Sequence, residues 1–156
     1  MKILDILPPE NVISELHGGT KLAVLEELAG ALAANHPEIS KDRLVDVLLE
    51  REKLGSTAIG EGIAIPHGKL PKLTGVLAVF GRSREGVDFQ SLDGGLTQLF
   101  FLLVAPEDAS GAHLKALARV SRLLRDKDFR LRLIAADGSE SLYQTIRQEE
   151  IGRAHV

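Results

Sequence analysis

His67 is the residue whose setting first suggests chemistry. It follows Pro66, whose ring fixes its own φ and restricts Ile65, and it precedes Gly68, which has no side chain to crowd an imidazole. Imidazole titrates near neutral pH, so a neutral, nucleophilic ring nitrogen is at hand without unusual tuning. Lys69 and the nearby Arg51 or Arg82 offer positive charge for an anionic group. The same features also describe a surface histidine beside a turn, and local sequence leaves both readings open. Of the other histidines, His17 reads as a turn residue before Gly18-Gly19, while His36 and His155 read as exposed. His113 differs. It falls in the first turn of a helix that Ser110 is expected to cap, where backbone donors and the positive dipole end favour an anion. If the fold unites His67 and His113, two rings flank one pocket. That pocket suits a phosphoryl group, or a metal completed by a carboxylate such as Glu61. No His-Glu-x-x-His pair occurs, so the metal reading has little support.

The glycine-rich run Gly55-Ser56-Thr57-Ala58-Ile59-Gly60-Glu61-Gly62 first suggests a nucleotide, but the spacing fails. A phosphate-binding loop needs Gly-Lys-Ser/Thr, and Leu70 follows Lys69; Ile65 stands where a dinucleotide fingerprint needs its third glycine. Lys115, Arg119 and Arg122 form a basic stripe along one helix, either a solvated face or a docking face for an acidic partner.

These residues need a scaffold, and the composition supplies one. A chain of 156 residues is one domain, large enough to bury a core unaided. The formal net charge of -3 argues against a protein dedicated to nucleic acid. Cysteine is absent, which excludes disulfides, thiolate catalysis and cysteine metal sites. No apolar run is long enough for a membrane helix, and Asp5, Pro8 and Pro9 interrupt the opening one, so a cytoplasmic protein is expected. A half-buried strand is expected over Val12 to Leu16. Two helices follow: one capped by Thr20 with Leu22, Leu25, Leu28, Ala29 and Leu32 inward, and one capped by Ser40 with Leu44, Val45, Leu48 and Leu49 inward. Short strands are expected at Ile63 to Ile65 and Val76 to Phe80, and a fully buried one at Thr97 to Val104 after the Asp93-Gly94-Gly95 turn. Three helices complete the chain, with expected caps at Ser110, at Asp126 or Asp128, and at Ser139. The first of them should bury Leu114, Leu117, Ala118, Ser121 and Leu124. The fold class is α/β (α+β), a mixed β-sheet flanked by helices, with one domain over residues 1–150 and a frayed tail over 151–156.

The run from Arg51 through Lys69 (REKLGSTAIGEGIAIPHGK) resembles the active-site signature of the IIA proteins of the bacterial phosphoenolpyruvate-dependent phosphotransferase system. The fructose/mannitol type fits, most like its nitrogen-regulatory (PtsN-type) branch. Leu4-Asp5-Ile6-Leu7, the His113-Leu114-x-x-Leu117 helix and Glu140-Ser141-Leu142-Tyr143 extend the likeness over nearly the whole chain.

The resemblance implies a phosphocarrier with a mixed sheet and flanking helices. His67 would take a phosphoryl group on Nε2 from the phosphohistidine of an HPr-like carrier (NPr). His113 would bond the phosphoryl oxygens and Arg51 would neutralise their charge, with Ser56, Thr57 and Gly68 lining the pocket. No metal or cofactor is implied. A chain without a fused IIB module resembles the nitrogen-regulatory branch, whose phosphorylation state alters binding to proteins such as potassium-transport regulators and sensor kinases. Two alternatives stand beside it: a sugar-specific IIA passing the group to a IIB component, and a phosphorylation-independent module using the basic helix.

Overall fold

A computed structural model describes residues 1–154. Short 3-10 turns at Ile3–Asp5 and Pro9–Asn11 lead into strand β1, Val12–Ile13. The strand is shorter than expected because the chain leaves the sheet after Ile13; beyond it, the Leu16 N–H donates to Arg82 O at 2.8 Å. Helix α1 (Lys21–Asn35) begins where Thr20 Oγ1 accepts the Ala23 N–H at 3.1 Å, and α2 (Lys41–Lys53) where Ser40 Oγ accepts the Arg43 N–H at 3.3 Å. The glycine-rich run then forms β2 (Ala58–Gly60), followed by β3 (Ile63–Ala64) and β4 (His67–Leu70). Long strands β5 (Leu77–Val87) and β6 (Thr97–Pro106) follow, then α3 (Ser110–Leu124), α4 (Lys127–Ala135) and α5 (Ser139–Ala154).

The strands make one mixed six-stranded sheet in the order β1-β5-β6-β3-β2, with β4 pairing β6 beyond β3. β6 is parallel to β3 and β4 and antiparallel to β5. Its apolar run has a simple cause: both faces are covered. Leu99, Phe101 and Leu103 enter a core with α3, α4 and α5, whereas Phe100, Leu102 and Val104 enter a core with α1 and α2.

Several expectations change. Gly81 does not end a strand. A Cβ there would lie 2.9 Å from Leu16 Cδ1 and 3.0 Å from Leu28 Cδ2, so the glycine admits a close approach within β5. On α1, Leu22 is exposed and Val24 is buried instead. On α3 the buried set is His113, Ala116, Val120, Leu123 and Leu124, and Leu114 is 66% exposed. Ser110 is the first residue of that helix; Ala109 holds the cap position and no side chain caps it. Asp126 does cap α4, accepting the Phe129 N–H at 3.0 Å. In α5 the Leu142 N–H donates to Gly138 O at 2.9 Å, which puts Gly138 where Ser139 was expected to act. The helix continues through Ala154, into the segment expected to fray; His155 and Val156 lie outside the described residues.

Candidate active site

His67 opens β4 opposite Leu103 of β6. Strand alternation turns His67 to the α3 side, where Leu103 also points, and Gly68 to the α2 side. There a Cβ on Gly68 would lie 2.6 Å from Val47 Cγ1. The glycine is thus required by the approach of α2, and not by the ring of His67 as the sequence suggested.

Ile65 O lies 2.9 Å from His67 Nδ1. A carbonyl only accepts, so this contact places the proton of the neutral ring on Nδ1 and leaves a lone pair on Nε2. Arg51, in the last turn of α2, donates its Nε–H to that Nε2 at 3.3 Å and its Nη1–H to Gly55 O at 2.9 Å. His113 approaches from α3, its ring edge-on to that of His67, with centroids 5.4 Å apart and planes at 65°. The His113 Nδ1 is buried and has no hydrogen-bond partner among the described residues. Lys69 Nζ donates to Ser110 Oγ at 2.8 Å, tying β4 to the start of α3.

Burial pushes the His67 imidazole below its ordinary value of 6.5. The bond to Ile65 and the charge of Glu52 oppose that fall, and Arg51 adds to it. His113 is lowered too, by burial first and then by His67 and Lys69. Both rings are therefore neutral at neutral pH, and His67 presents an unprotonated Nε2 beside a guanidinium. That combination suits attack on an anionic electrophile, with Arg51 placed to meet the charge.

The other expected members divide. Thr57 is 4% exposed; its Oγ1–H donates to Glu52 Oε2 and its N–H to Glu52 Oε1 at 3.1 Å. Ser56 Oγ donates to Phe89 O at 2.6 Å and accepts the Ala58 N–H at 3.0 Å. Both hydroxyls are engaged in shaping the loop. Arg82 is a correction: its guanidinium is buried at the end of α4, donating to Leu133, Ile134 and Ala136 carbonyls and to Ser14 O. Its positive charge meets the negative end of that helix. Glu61 points to Arg130, at 3.4 Å, and the described residues contain no group of three or more potential metal ligands of the His, Cys, Asp and Glu types. In the basic stripe, Arg119 is paired with Glu150 at 3.1 Å.

Sequence reasoning missed Glu52, a buried carboxylate next to Arg51. The signal was present: Glu52 falls four residues after Leu48 and eight after Leu44, on the apolar face of α2.

Residues 5–149 match the family described as "Phosphoenolpyruvate-dependent sugar phosphotransferase system, EIIA 2". A nitrogen regulatory protein of Bradyrhizobium diazoefficiens is 46% identical over 146 residues, covering 94% of this chain and 95% of that one. The fructose-specific EIIABC component of Bacillus subtilis is 35% identical over 96% of this chain and 24% of its own length. Among solved structures, nitrogen regulatory protein IIA-Ntr of Neisseria meningitidis superposes with a TM-score of 0.86 at 33% identity, covering 92% of this chain and 98% of that one.

Proposed function

This chain belongs to the phosphotransferase-system EIIA 2 family, and on that premise we propose that it is a cytoplasmic phosphocarrier whose His67 Nε2 accepts a phosphoryl group from the phosphohistidine of an HPr-like protein. The observation that carries the reading is the bond from His67 Nδ1–H to Ile65 O at 2.9 Å, which frees Nε2 beside Arg51. As the donor approaches, its N–P bond breaks while the Nε2–P bond forms. The proton stays on His67 Nδ1, bonded to Ile65 O, and the donor ring, protonated on its other nitrogen, takes the electron pair of the broken N–P bond and leaves as a neutral imidazole, so the transfer needs no general base.

Phosphoryl transfer of this kind passes through a loose transition state with charge spread over the equatorial oxygens. The protein's work is positioning and charge stabilisation. Arg51 exchanges its contact with Nε2 for the incoming oxygens, still anchored by Gly55 O. The His113 ring, half a nanometre away in a buried setting, supplies a second donor face.

The 46% identity to the Bradyrhizobium nitrogen regulatory protein exceeds the 35% to the Bacillus subtilis fructose-specific component, each over nearly the whole of this chain. We therefore assign it a signalling role: a dedicated NPr-type carrier phosphorylates it, and its phosphorylation state sets its affinity for regulatory partners such as potassium-transport regulators or sensor kinases. The Bacillus subtilis match favours a second reading, transfer onward to a IIB module in sugar uptake.

Incubation with phosphoenolpyruvate, enzyme I and either an NPr-type or a sugar-type HPr, read by intact mass, tests both. The expected result is an acid-labile adduct on wild type, faster from the NPr-type donor, and none on His67→Ala. Onward transfer to an isolated IIB would favour the sugar reading. No adduct from either donor would refute the carrier role.

A further inference from the structure

Glu52 is held at a cost that its place in the fold does not by itself explain. Its side chain is 4% exposed, and a carboxylate so enclosed is expensive unless fully paired. The pairing comes from Lys21, whose Nζ donates to Oε1 at 2.9 Å, and from the Thr57 N–H and hydroxyl. Lys21 itself is ill placed, since it occupies the first position of α1, where the helix dipole opposes a cation. Its ammonium also lies over the Phe89 ring, 4.8 Å from the centroid. A cation is thus drawn inward to keep one anion beneath the loop.

The hydrogen bonds continue from that anion to the nucleophile. Thr57, held by Glu52 at both its N–H and its hydroxyl, offers its C=O to the Ile65 N–H at 3.1 Å. Ile65 in turn offers its C=O to His67 Nδ1–H at 2.9 Å. Each bond fixes the position of the next segment, and the charge of Glu52 reaches the ring through space, where the surroundings exclude water. We propose that Glu52 is a positioning residue for His67: it anchors the Thr57 and Ile65 backbone that presents the Ile65 carbonyl to Nδ1–H, and its charge, acting through space, keeps Nε2 electron-rich. The proposal rests on the reading of His67 as phosphoryl acceptor.

The charged and titratable groups around the ring are Arg51 and Glu52 from α2, His113 from α3, and Lys69 from β4 itself; Lys21 from α1 faces Glu52. Glu52 is the anion of that set. Its influence on the ring has a sign opposite to that of loosening. Loss of the negative charge makes His67 harder to protonate, while a loosened loop hydrates the ring and makes it easier.

The test is a side-chain NMR titration of the histidines in unphosphorylated wild type and Glu52→Gln, which requires no donor. The expected result is a His67 pKa lower than in wild type, with the Nε2–H tautomer becoming detectable. Phosphorylation from the HPr-like donor should slow on the order of tenfold, the scale of losing an outer hydrogen-bond partner of a functional histidine. Thr57→Ser, which keeps the hydroxyl, should retain the wild-type titration. If Glu52→Gln does not fold, Lys21→Gln with Glu52→Gln leaves no unpaired buried charge and gives the same reading. A His67 pKa that is unchanged or raised toward 6.5 would overturn the proposal. Failure of wild type to accept a phosphoryl group would fall instead on the acceptor reading, because the titration is measured without transfer.

Discussion

Gly68→Ala is the perturbation whose cost the structure defines best. The added methyl would sit 2.6 Å from Val47 Cγ1, with Leu48 Cδ2 at 3.7 Å in ordinary contact. Gly68 does not have a left-handed φ, so no backbone strain enters. The cost is overpacking alone, typically about 1–3 kcal/mol when a methylene is forced into a filled space. Val47→Ala removes the obstructing methyl. In that background the alanine at 68 loses its clash and keeps the entropic advantage of alanine over glycine, about 0.4–1 kcal/mol. That advantage is present in both backgrounds and cancels, so the two substitutions should couple by the clash alone, about 1–3 kcal/mol in the stabilising direction. Urea unfolding of wild type, both single variants and the double variant measures this directly. Transfer kinetics should follow the same pattern. Pushing β4 off α2 by a few tenths of an ångström moves His67 relative to Arg51, whose Nε lies 3.3 Å from Nε2. Equal costs for Gly68→Ala in the two backgrounds, or no cost in either, would refute the packing argument.

The remaining expectations concern charge. Because burial lowers both histidines below 6.5, the unfolded chain binds more protons than the folded one between the lowered values and 6.5. Their contribution to stability is full above 6.5 and lost as pH falls through the lowered values; a stability that holds or rises as pH falls through that window contradicts it. The transfer rate should hold steady down to 6.5 and decline below it, when Nε2 takes a proton. For Arg51→Ala, transfer should slow by about 10²–10³, as for removal of one oxyanion donor, while circular dichroism shows the fold retained; an unchanged rate would remove Arg51 from the charge-stabilising role. Arg82→Leu strips its bonds from the Leu133, Ile134 and Ser14 carbonyls and leaves Ala136 O with Arg84 Nη2 alone. Its cost should be on the order of 3 kcal/mol or more, with transfer by the folded protein unaffected. A loss below about 0.5 kcal/mol, the scale of an ordinary surface change, would contradict the buried-cap assignment.

What could be read before folding was local. Thr20, Ser40 and Asp126 bond to residues three positions on, and all three act as caps. The apolar run of β6 announces a strand covered on both faces. β2 and β4 were hidden because they are short, glycine-containing strands: β2 pairs with the neighbouring β3 in a broken register, and β4 depends on the remote Leu103 to Pro106. The start of α3 was misjudged because Ser110 looks like a cap, and the inward face was shifted with it; Leu114 turned outward and Ala116 and Val120 inward. His67 itself was conspicuous from its neighbours Pro66 and Gly68. Arg51 was one of three cations offered near it and His113 was joined to it only conditionally; the resemblance named the three together, since the contact joins a helix end, an edge strand and the opposite helical layer. Arg82 was placed near the site for want of any local sign that four carbonyls of distant segments would claim it.

The central claim is that His67 holds its proton on Nδ1 and offers Nε2. Long-range proton–nitrogen correlation of the imidazoles, recorded before and after phosphorylation by the HPr-like donor, tests it most directly. The expected result is a neutral His67 with its proton on Nδ1 in the free protein, and phosphorus bonded to Nε2 of that same ring afterwards. An adduct on Nδ1 of His67, or on His113, would contradict it.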